Sequence, residues 1–200
     1  MKVIIIDDFL DKPEEARKLG IQAKQNDILT LDDLYSDQEY DRDLVDALFS
    51  DITGEKIVSI DSKYKKYNMY LKHETYNHVH YDEADYIALI YLNKEYRETD
   101  GVSFYLHKET GVKHASELEI GTQLGEDIEA NKENFDLNKW EEYMFINAKY
   151  NRLVLFEPLY YHGASLGFGE TLEEGRLAEV LHFVKEDNLK YWIRILYGKR

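Results

Sequence analysis

The sequence predicts an α+β fold in which a β-sandwich or barrel is supported by helices from the start of the chain. Residues 1–55 contain two segments with helical patterns, whereas residues 56–200 consist mainly of short runs rich in Tyr, Val and Ile, the residues that favour strands. Of the 200 residues, 44% are hydrophobic, which is enough to fill a substantial core. No Pro- or Ser-rich linker divides the chain, so we expect a single domain over residues 1–200.

The first elements are a short strand and two helices. The apolar run Val3–Ile6 predicts a buried strand. Asp11 is a candidate N-cap, and Pro13 with the two glutamates after it favours a helix that runs to about Lys24. A second helix is predicted to end near Gly54. Its apolar stripe consists of Leu44, Val45, Leu48 and Phe49.

Eight short runs predict strands in the rest of the chain. They are Lys56–Ile60, Tyr64–Lys72, Tyr86–Leu92, Val102–His107, Tyr143–Ala148, Arg152–Phe156, Arg176–Lys185 and Tyr191–Leu196. Tyr86–Leu92 is apolar on both strand faces, which indicates a central strand covered from both sides. Residues from about 107 to 142 are polar, acidic and interrupted by glycine, so we expect a long insertion with one or two short helices.

The charge of the chain disfavours two classes of partner. Its 25 basic and 40 acidic residues give a net charge of −15, which opposes binding to nucleic acid or to an anionic membrane. Segments 31–46 and 115–143 carry −6 and −7 of that charge, so the rest of the chain is nearly balanced. We therefore hypothesise that one or both segments border the functional site and favour a cationic or neutral substrate.

Residue types and hydrophobic runs restrict the chemistry and the location. The chain has no cysteine, which removes disulfides, thiolate metal sites and cysteine nucleophiles, so any metal must use His, Asp or Glu. The initial apolar run stops at Asp7, too early for the core of a signal peptide. The longest apolar run, Tyr86–Leu92, is too short to cross a bilayer. These features predict a cytoplasmic protein.

One short segment, His78-Val79-His80-Tyr81-Asp82, suggests a metal site. Alternate side chains of an extended chain share a face, so His80 and Asp82 can converge on one point. An imidazole and a carboxylate are two thirds of the facial triad that holds non-haem Fe(II). His162, just after an apolar strand, is the candidate third ligand. Two alternatives stay open, since His78 shares the same strand face and a His-X-Asp also occurs in solvated turns.

Arg176 begins an otherwise apolar predicted strand. A guanidinium at such a position needs an anionic partner, and its fork suits a carboxylate. That partner is either a ligand or an acidic side chain in a structural salt bridge, and the many acidic residues of the chain keep the second alternative open.

The order of these residues resembles a known family, the Fe(II)- and 2-oxoglutarate-dependent oxygenases, especially its prolyl-hydroxylase-like branch. The family motif is His-X-Asp, a distant His, and a basic residue that enters a later strand, and His80-Tyr81-Asp82, His162 and Arg176 follow it. Four flanking segments are also similar, so the resemblance covers nearly the whole chain. They are Ile6–Leu10 with the following helix, Ile90–Asn93, Gly101–Tyr105 and Arg152–Phe156.

The resemblance implies a fold and a ligand set. The expected fold is a double-stranded β-helix, a cupin-like jelly roll, with the N-terminal helices packed on its major sheet. His80, Asp82 and His162 would hold Fe(II), and Arg176 would pair with the distal carboxylate of 2-oxoglutarate. The interval of 14 residues between His162 and Arg176 is longer than is common in that branch, which suggests an extra loop at Ser165–Glu174.

Two tyrosines resemble cosubstrate-binding residues of the family. Tyr91 would donate a hydrogen bond to the distal carboxylate of 2-oxoglutarate, and Tyr70 resembles another cosubstrate tyrosine. The chain has 17 tyrosines, and a strand tyrosine also commonly serves in core packing. Packing roles for Tyr91 and Tyr70 therefore stay open.

The resemblance implies an enzyme that uses Fe(II), 2-oxoglutarate and O2. Such an enzyme would hydroxylate a C–H bond of a peptidyl or small-molecule substrate and release succinate and CO2. The main alternative is a cupin-like metal-binding module without oxygenase activity. A metal-dependent isomerase is less favoured, because the pair Arg176 and Tyr91 would have no task in it.

The other histidines and the tryptophans are expected to be structural. His107 and His114 lie in or beside the insertion and are interpreted as surface residues, with a position at the mouth of the site as the alternative. His182 alternates in phase with Arg176, so it is expected to face the interior as a core histidine. Trp140 and Trp192 are interpreted as anchors of a core or lid. No phosphate-binding loop and no serine nucleophile elbow is found.

Overall fold

A computed structural model describes residues 1–25, 42–60, 67–74, 78–117 and 136–191. These residues form mostly β-sheet with few helices. The helices are α1 (Pro13–Gln25) and α2 (Arg42–Thr53). The strands are β1 (Val3–Ile6), β2 (Ile57–Ser59), β3 (Tyr67–Tyr70), β4 (Tyr86–Tyr91), β5 (Gly101–His107), β6 (Trp140–Asn147), β7 (Leu153–Phe156), β8 (His162–Ala164) and β9 (Arg176–Lys185).

The strands form two antiparallel sheets. The larger sheet has the order β1-β7-β4-β9-β2, and β3 also pairs with β9. The ten residues of β9 make this possible, since β3 pairs with its first part and β2 with its last part along the same edge. The smaller sheet has the order β6-β5-β8. A register shift in β5 lies between Phe104 and Tyr105.

Strand β4 lies between two apolar layers. Ile87, Leu89 and Tyr91 face the smaller sheet, and Ala88 and Ile90 face the layer that contains the helices. All six residues of β4 are buried. This confirms the prediction of a central strand covered on both faces.

The two helices lie on the outer face of the larger sheet. α1 packs against β3 and β9, and α2 packs against β2. Gly20 of α1 permits a close approach, because a Cβ there would lie 2.9 Å from side-chain carbons of Leu177 and Tyr67. α2 ends before Gly54, whose φ of +70° is one that glycine adopts without strain. The packing of N-terminal helices on a sheet agrees with the prediction.

Several element boundaries differ from the predicted ones. α1 begins at Pro13, so Lys12 and not Asp11 immediately precedes it; proline suits the first position of a helix. β6 begins at Trp140, three residues before the predicted start. The short strand β8 was not predicted. The predicted strand Tyr191–Leu196 lies outside the described residues except for Tyr191, which is helical.

The predicted insertion connects β5 to β6. Its described flanks contain the 3-10 helices Ala115–Glu117 and Leu137–Lys139, and residues 118–135 lie outside the described residues.

The surface assignment of His107 was wrong: His107 is fully buried, packs edge-on against Trp140 and bonds Thr110 through Nδ1. It belongs to the core because the β5–β6 register places it opposite Trp140, whose buried ring packs against it. Trp140 is buried as predicted, and Trp192 is not described.

Within the described part of the chain, no helix is both long enough and apolar enough to cross a membrane.

Candidate active site

Backbone pairing brings the three proposed metal ligands together. His80 and His162 form an isolated antiparallel bridge, in which the His80 N–H donates to the His162 carbonyl at 2.9 Å and the His162 N–H donates to the His80 carbonyl at 2.8 Å. The Asp82 N–H donates to the carbonyl of Pro158 at 3.0 Å. The segment before β4 is therefore hydrogen-bonded to β8 and to the turn that leads into β8.

The side chains of His80, Asp82 and His162 converge. The distance from Asp82 Oδ2 is 3.3 Å to His162 Nε2 and 4.0 Å to His80 Nε2. One ligand atom from each residue lies within 4.8 Å of the other two. Ligands bound about 2.1 Å from one metal ion are separated by comparable distances. The three side chains fit a single divalent ion.

The electrostatics of this cluster suit a cation. The carbonyl oxygen of Tyr160 accepts a hydrogen bond from His162 Nδ1 at 2.8 Å, which orients Nε2 toward Asp82 in the way that outer partners orient metal-binding histidines. Burial, and next the nearby His162, lower the pKa of His80 to about 4, so His80 is neutral at pH 7 with a free lone pair. Burial opposes ionisation of Asp82, but the hydrogen bond with His162 and the nearby His80 hold its pKa below the usual range.

The cluster opens into a cavity of about 310 Å³ between the two sheets. Its apolar wall includes Ile87, Leu89, Val102 and Phe156. Its polar lining includes Asn68, Tyr70, His78, His80, Asp82, His162, Ser165, Arg176 and His182. The cavity is large enough for a small dicarboxylate beside a metal ion, and its wall limits the access of water to them.

Arg176 lines the same cavity at the start of β9. Its side chain is buried, with the residue only 3% exposed. Among the described residues, no carboxylate forms an ion pair with its guanidinium and no acceptor takes a hydrogen bond from it. A buried charge without a partner is costly. Within the described chain the structural salt bridge considered for Arg176 is not found, and its guanidinium lies in the lining of the cavity without a carboxylate beside it.

Of the two proposed cosubstrate tyrosines, only Tyr70 lines the cavity. Tyr70 lines the cavity and lies opposite Arg176 in the β3–β9 register. Tyr91 does not line the cavity; it is fully buried and packs edge-on against Tyr96. The hydroxyl of Tyr91 has no hydrogen-bond partner among the described residues. Burial raises the pKa of Tyr91 to about 12, and the positive charge of Arg176 opposes that rise.

Several cavity residues were not among the predicted site residues. Asn68 lies two positions before Tyr70 on β3, so strand alternation was the signal that would have found it. His182 is buried on the face predicted from its phase with Arg176, and it lines the cavity. His78 also lines the cavity and stacks on His80 at 4.4 Å between ring centroids. It is not one of the three converging residues.

The remaining predictions concern His114 and the two acidic segments. His114 does not line it and packs edge-on against Tyr160. In the described ranges, no residue of segments 31–46 or 115–143 lines the cavity. Most of both segments lies outside the described residues, so a role for them beside the site stays a prediction.

Comparison with known proteins gives a likeness in structure only. No family model matches the sequence, and no curated protein matches it. The structure is similar to that of HygX from Streptomyces hygroscopicus, with a TM-score of 0.51 and 12% identity over 92% of this chain and 82% of HygX. HygX with nickel and 2-oxoglutarate bound has the same TM-score and identity, over 92% of this chain and 83% of that one.

A third structure is a prolyl hydroxylase from Trichoplax adhaerens in complex with a hypoxia inducible factor peptide fragment. It has a TM-score of 0.47 and 14% identity, over 98% of this chain and 87% of that chain. At these identities, the likeness to HygX shows a shared fold.

Proposed function

We propose that this chain is an Fe(II)- and 2-oxoglutarate-dependent oxygenase. Its two sheets would form a double-stranded β-helix within a single domain. Its substrate would be a peptidyl side chain or a small molecule that is hydroxylated at a C–H bond. The shared fold with HygX, which has been solved with nickel and 2-oxoglutarate bound, supports this proposal.

One observation carries the proposal. The cavity that contains the converging His80, Asp82 and His162 also contains the buried guanidinium of Arg176, which has no anionic partner in the described chain. Two imidazole nitrogens and a carboxylate form the facial set that suits Fe(II) and leaves coordination positions open. A separate cationic group in the same cavity suits a dicarboxylate that chelates the metal with its other end.

The residues of the chain would bind and orient the reactants. His80, Asp82 and His162 would hold the iron, and Arg176 would pair with the distal carboxylate of 2-oxoglutarate. Tyr91, whose hydroxyl has no hydrogen-bond partner among the described residues, and Tyr70, opposite Arg176, would support that carboxylate. The apolar wall of the cavity would exclude water. When bound, Fe(II) with 2-oxoglutarate and O2 supplies the oxidation that yields succinate, CO2 and a hydroxylated product.

An anaerobic titration tests this function. Fe(II) and 2-oxoglutarate added to the wild-type protein should give a weak visible charge-transfer band. The band should vanish in His80→Ala and in Asp82→Ala, because each variant loses a ligand. Arg176→Ala should keep Fe(II) binding and weaken 2-oxoglutarate binding, since it removes only the cation that faces the distal carboxylate.

The matched control is His73→Ala, which removes an exposed histidine that does not line the cavity and should leave the band unchanged. A wild-type protein without the band, and without stabilisation by iron and 2-oxoglutarate together, would refute the proposal. A protein that binds Zn as readily as Fe(II) and never forms succinate would instead be a cupin-like metal-binding module. Loss of Fe(II) binding in Arg176→Ala would assign Arg176 a structural role.

A further inference from the structure

Asn93 lies two residues after β4. It is neither one of the proposed metal ligands nor part of the cavity lining. Its side chain is buried, and both ends of its amide bond the backbone at the start of β9. Nδ2 donates to the Gly175 carbonyl at 2.6 Å, and Oδ1 accepts from the Leu177 N–H at 2.7 Å. These two backbone groups belong to the residues on either side of Arg176.

The amide of Asn93 extends the sheet beyond the point where β4 ends. The ladder of β4 and β9 pairs residues up to Tyr91 with Ala178, and the Leu92 N–H still donates to the Leu177 carbonyl at 3.1 Å. The Leu92 carbonyl accepts instead from the side chain of Arg17 at 3.0 Å. The Leu177 N–H therefore donates to Asn93 Oδ1, which stands in place of a main-chain acceptor.

Tyr96 reinforces this junction. Its hydroxyl accepts from the Asn93 N–H at 2.9 Å and is 3.4 Å from the Leu177 carbonyl. On the other edge of β9, Tyr70 of β3 pairs with Arg176. The backbone at Arg176 is thus held from both sides, from one by a strand and from the other mainly by a single side-chain amide.

We infer that Asn93 is a positioning residue that fixes the backbone around Arg176, so that the guanidinium is held ready for an anionic ligand. The inference rests on the proposed role of Arg176 in 2-oxoglutarate binding. A guanidinium without a partner in the described chain has no ion pair to orient it, so its direction depends on the backbone and on packing. Ordering Arg176 before binding lowers the entropy lost when the dicarboxylate binds.

The test compares Asn93→Ala with the wild-type protein by two measurements. Asn93→Ala should raise the dissociation constant of 2-oxoglutarate about tenfold, the equivalent of one hydrogen bond, and leave Fe(II) affinity unchanged. In the Arg176→Ala background, the same change should cause no further loss, because Asn93 acts through Arg176. The second measurement, the NMR signal of the Arg176 Nε–H without ligand, should be single in the wild type and broadened or split in Asn93→Ala.

Asn151→Gly is the matched control. Asn151 is also buried and also bonds a backbone N–H and carbonyl through its amide, those of Leu10 at 2.9 Å each. Glycine suits its φ of 58°. This variant should be less stable than the wild type. Its affinity for 2-oxoglutarate and its Arg176 Nε–H signal should be unchanged. If Asn93→Ala does not fold, Tyr96→Phe, which removes the hydroxyl contacts of the junction, should change both measurements in the same direction to a smaller extent.

The inference is wrong if Asn93→Ala leaves the Arg176 Nε–H signal unchanged. It is also wrong if Asn93→Ala weakens 2-oxoglutarate binding equally in the wild-type and Arg176→Ala backgrounds. It is also wrong if Asn151→Gly produces the same changes, since the effect would then follow from lost stability. If the wild-type protein with Fe(II) binds no 2-oxoglutarate, the proposed function fails, and the Arg176 signal still decides whether Asn93 orders the guanidinium.

Discussion

Two tyrosines on β4 show how differently the same residue type is used at two ends of one strand. Tyr86 and Tyr91 are both fully buried. The Tyr86 hydroxyl donates to Glu55 Oε2 at 3.0 Å, whereas the Tyr91 hydroxyl has no hydrogen-bond partner among the described residues. A buried hydroxyl without a partner costs about 1–3 kcal/mol. Tyr91 thus keeps a donor near Arg176 at the expense of stability.

Tyr91→Phe should therefore stabilise the protein in the absence of ligand. We expect the free energy of unfolding to rise by about 1 kcal/mol, because the substitution removes an unpaired polar atom and leaves the ring packing in place. Affinity for 2-oxoglutarate should fall roughly tenfold if the hydroxyl binds the cosubstrate. Denaturant unfolding and an anaerobic titration measure the two effects.

Tyr86→Phe is the control on the same strand. It breaks an existing hydrogen bond to Glu55, so it should lower the free energy of unfolding by about 1 kcal/mol and leave 2-oxoglutarate affinity unchanged. A destabilised Tyr91→Phe would show that the hydroxyl of Tyr91 is satisfied in solution and is not held in reserve for a ligand.

At the scale of elements, ion pairs stabilise the edge of the larger sheet where β1 ends and β7 begins. Asp7 directly follows β1, and Arg152 directly precedes β7, so the two extend the β1–β7 register by one pair. Arg152 Nε donates to Asp7 Oδ1 at 2.6 Å and Lys149 Nζ lies 2.9 Å from Oδ2. These hydrogen bonds, first that of Arg152 and then that of Lys149, hold the pKa of Asp7 well below its usual range.

Asp7→Asn should destabilise the protein at pH 7 and progressively less in acid. Because the pKa of Asp7 is lowered by folding, its contribution is complete above the ordinary pKa of 3.8 and declines as the pH falls below that value. We expect a loss of about 1 kcal/mol at pH 7, since a partly exposed ion pair is screened by solvent. Urea unfolding at several pH values measures the difference between the variant and the wild type.

The control for this prediction is Asp51→Asn. Asp51 is exposed on α2 and makes no ion pair in the described part of the chain. The substitution changes the net charge equally but should leave stability at pH 7 nearly unchanged. The difference in the free energy of unfolding between Asp7→Asn and the wild type should shrink in acid. A difference that stayed constant from pH 7 to pH 3 would contradict the lowered pKa of Asp7.

At the scale of the whole molecule, the candidate metal centre joins the two sheets. His162 belongs to β8 of the smaller sheet, whereas His80 and Asp82 lie on the segment that leads into β4 of the larger sheet. A metal ion bound by all three would link these layers. Any ligand that binds only the folded state stabilises it in proportion to the logarithm of its concentration.

Nickel(II) should therefore raise the stability of the whole protein, and a chelator should reverse the rise. At 100 times its dissociation constant, a single bound ion adds about 2.7 kcal/mol to the free energy of unfolding. Thermal unfolding followed with nickel, with nickel and 2-oxoglutarate, and after chelation measures the effect without turnover. Asp82→Asn should lose most of the gain, and an equal gain in Asp82→Asn would place the ion elsewhere.

Local patterns predicted much of this protein from its sequence. Apolar runs and turn residues located most of the described strands and both helices, since hydrophobic periodicity is set by the geometry of a single element. Strand alternation put His80 with Asp82 on one face and His182 in phase with Arg176. These features depend on neighbours a few residues apart, and the residue order alone contains them.

Only the tertiary structure decided the contacts between distant segments. It showed that His80 pairs with His162 through an unpredicted short strand and that Arg176 meets no acidic partner within the described chain. It also showed that His107 is buried against Trp140 and that Asn93 replaces a main-chain acceptor beside β9. Periodicity says which face of a strand a residue occupies, but strand order and register determine what lies opposite that face. The site therefore depends on pairings that no local pattern contains.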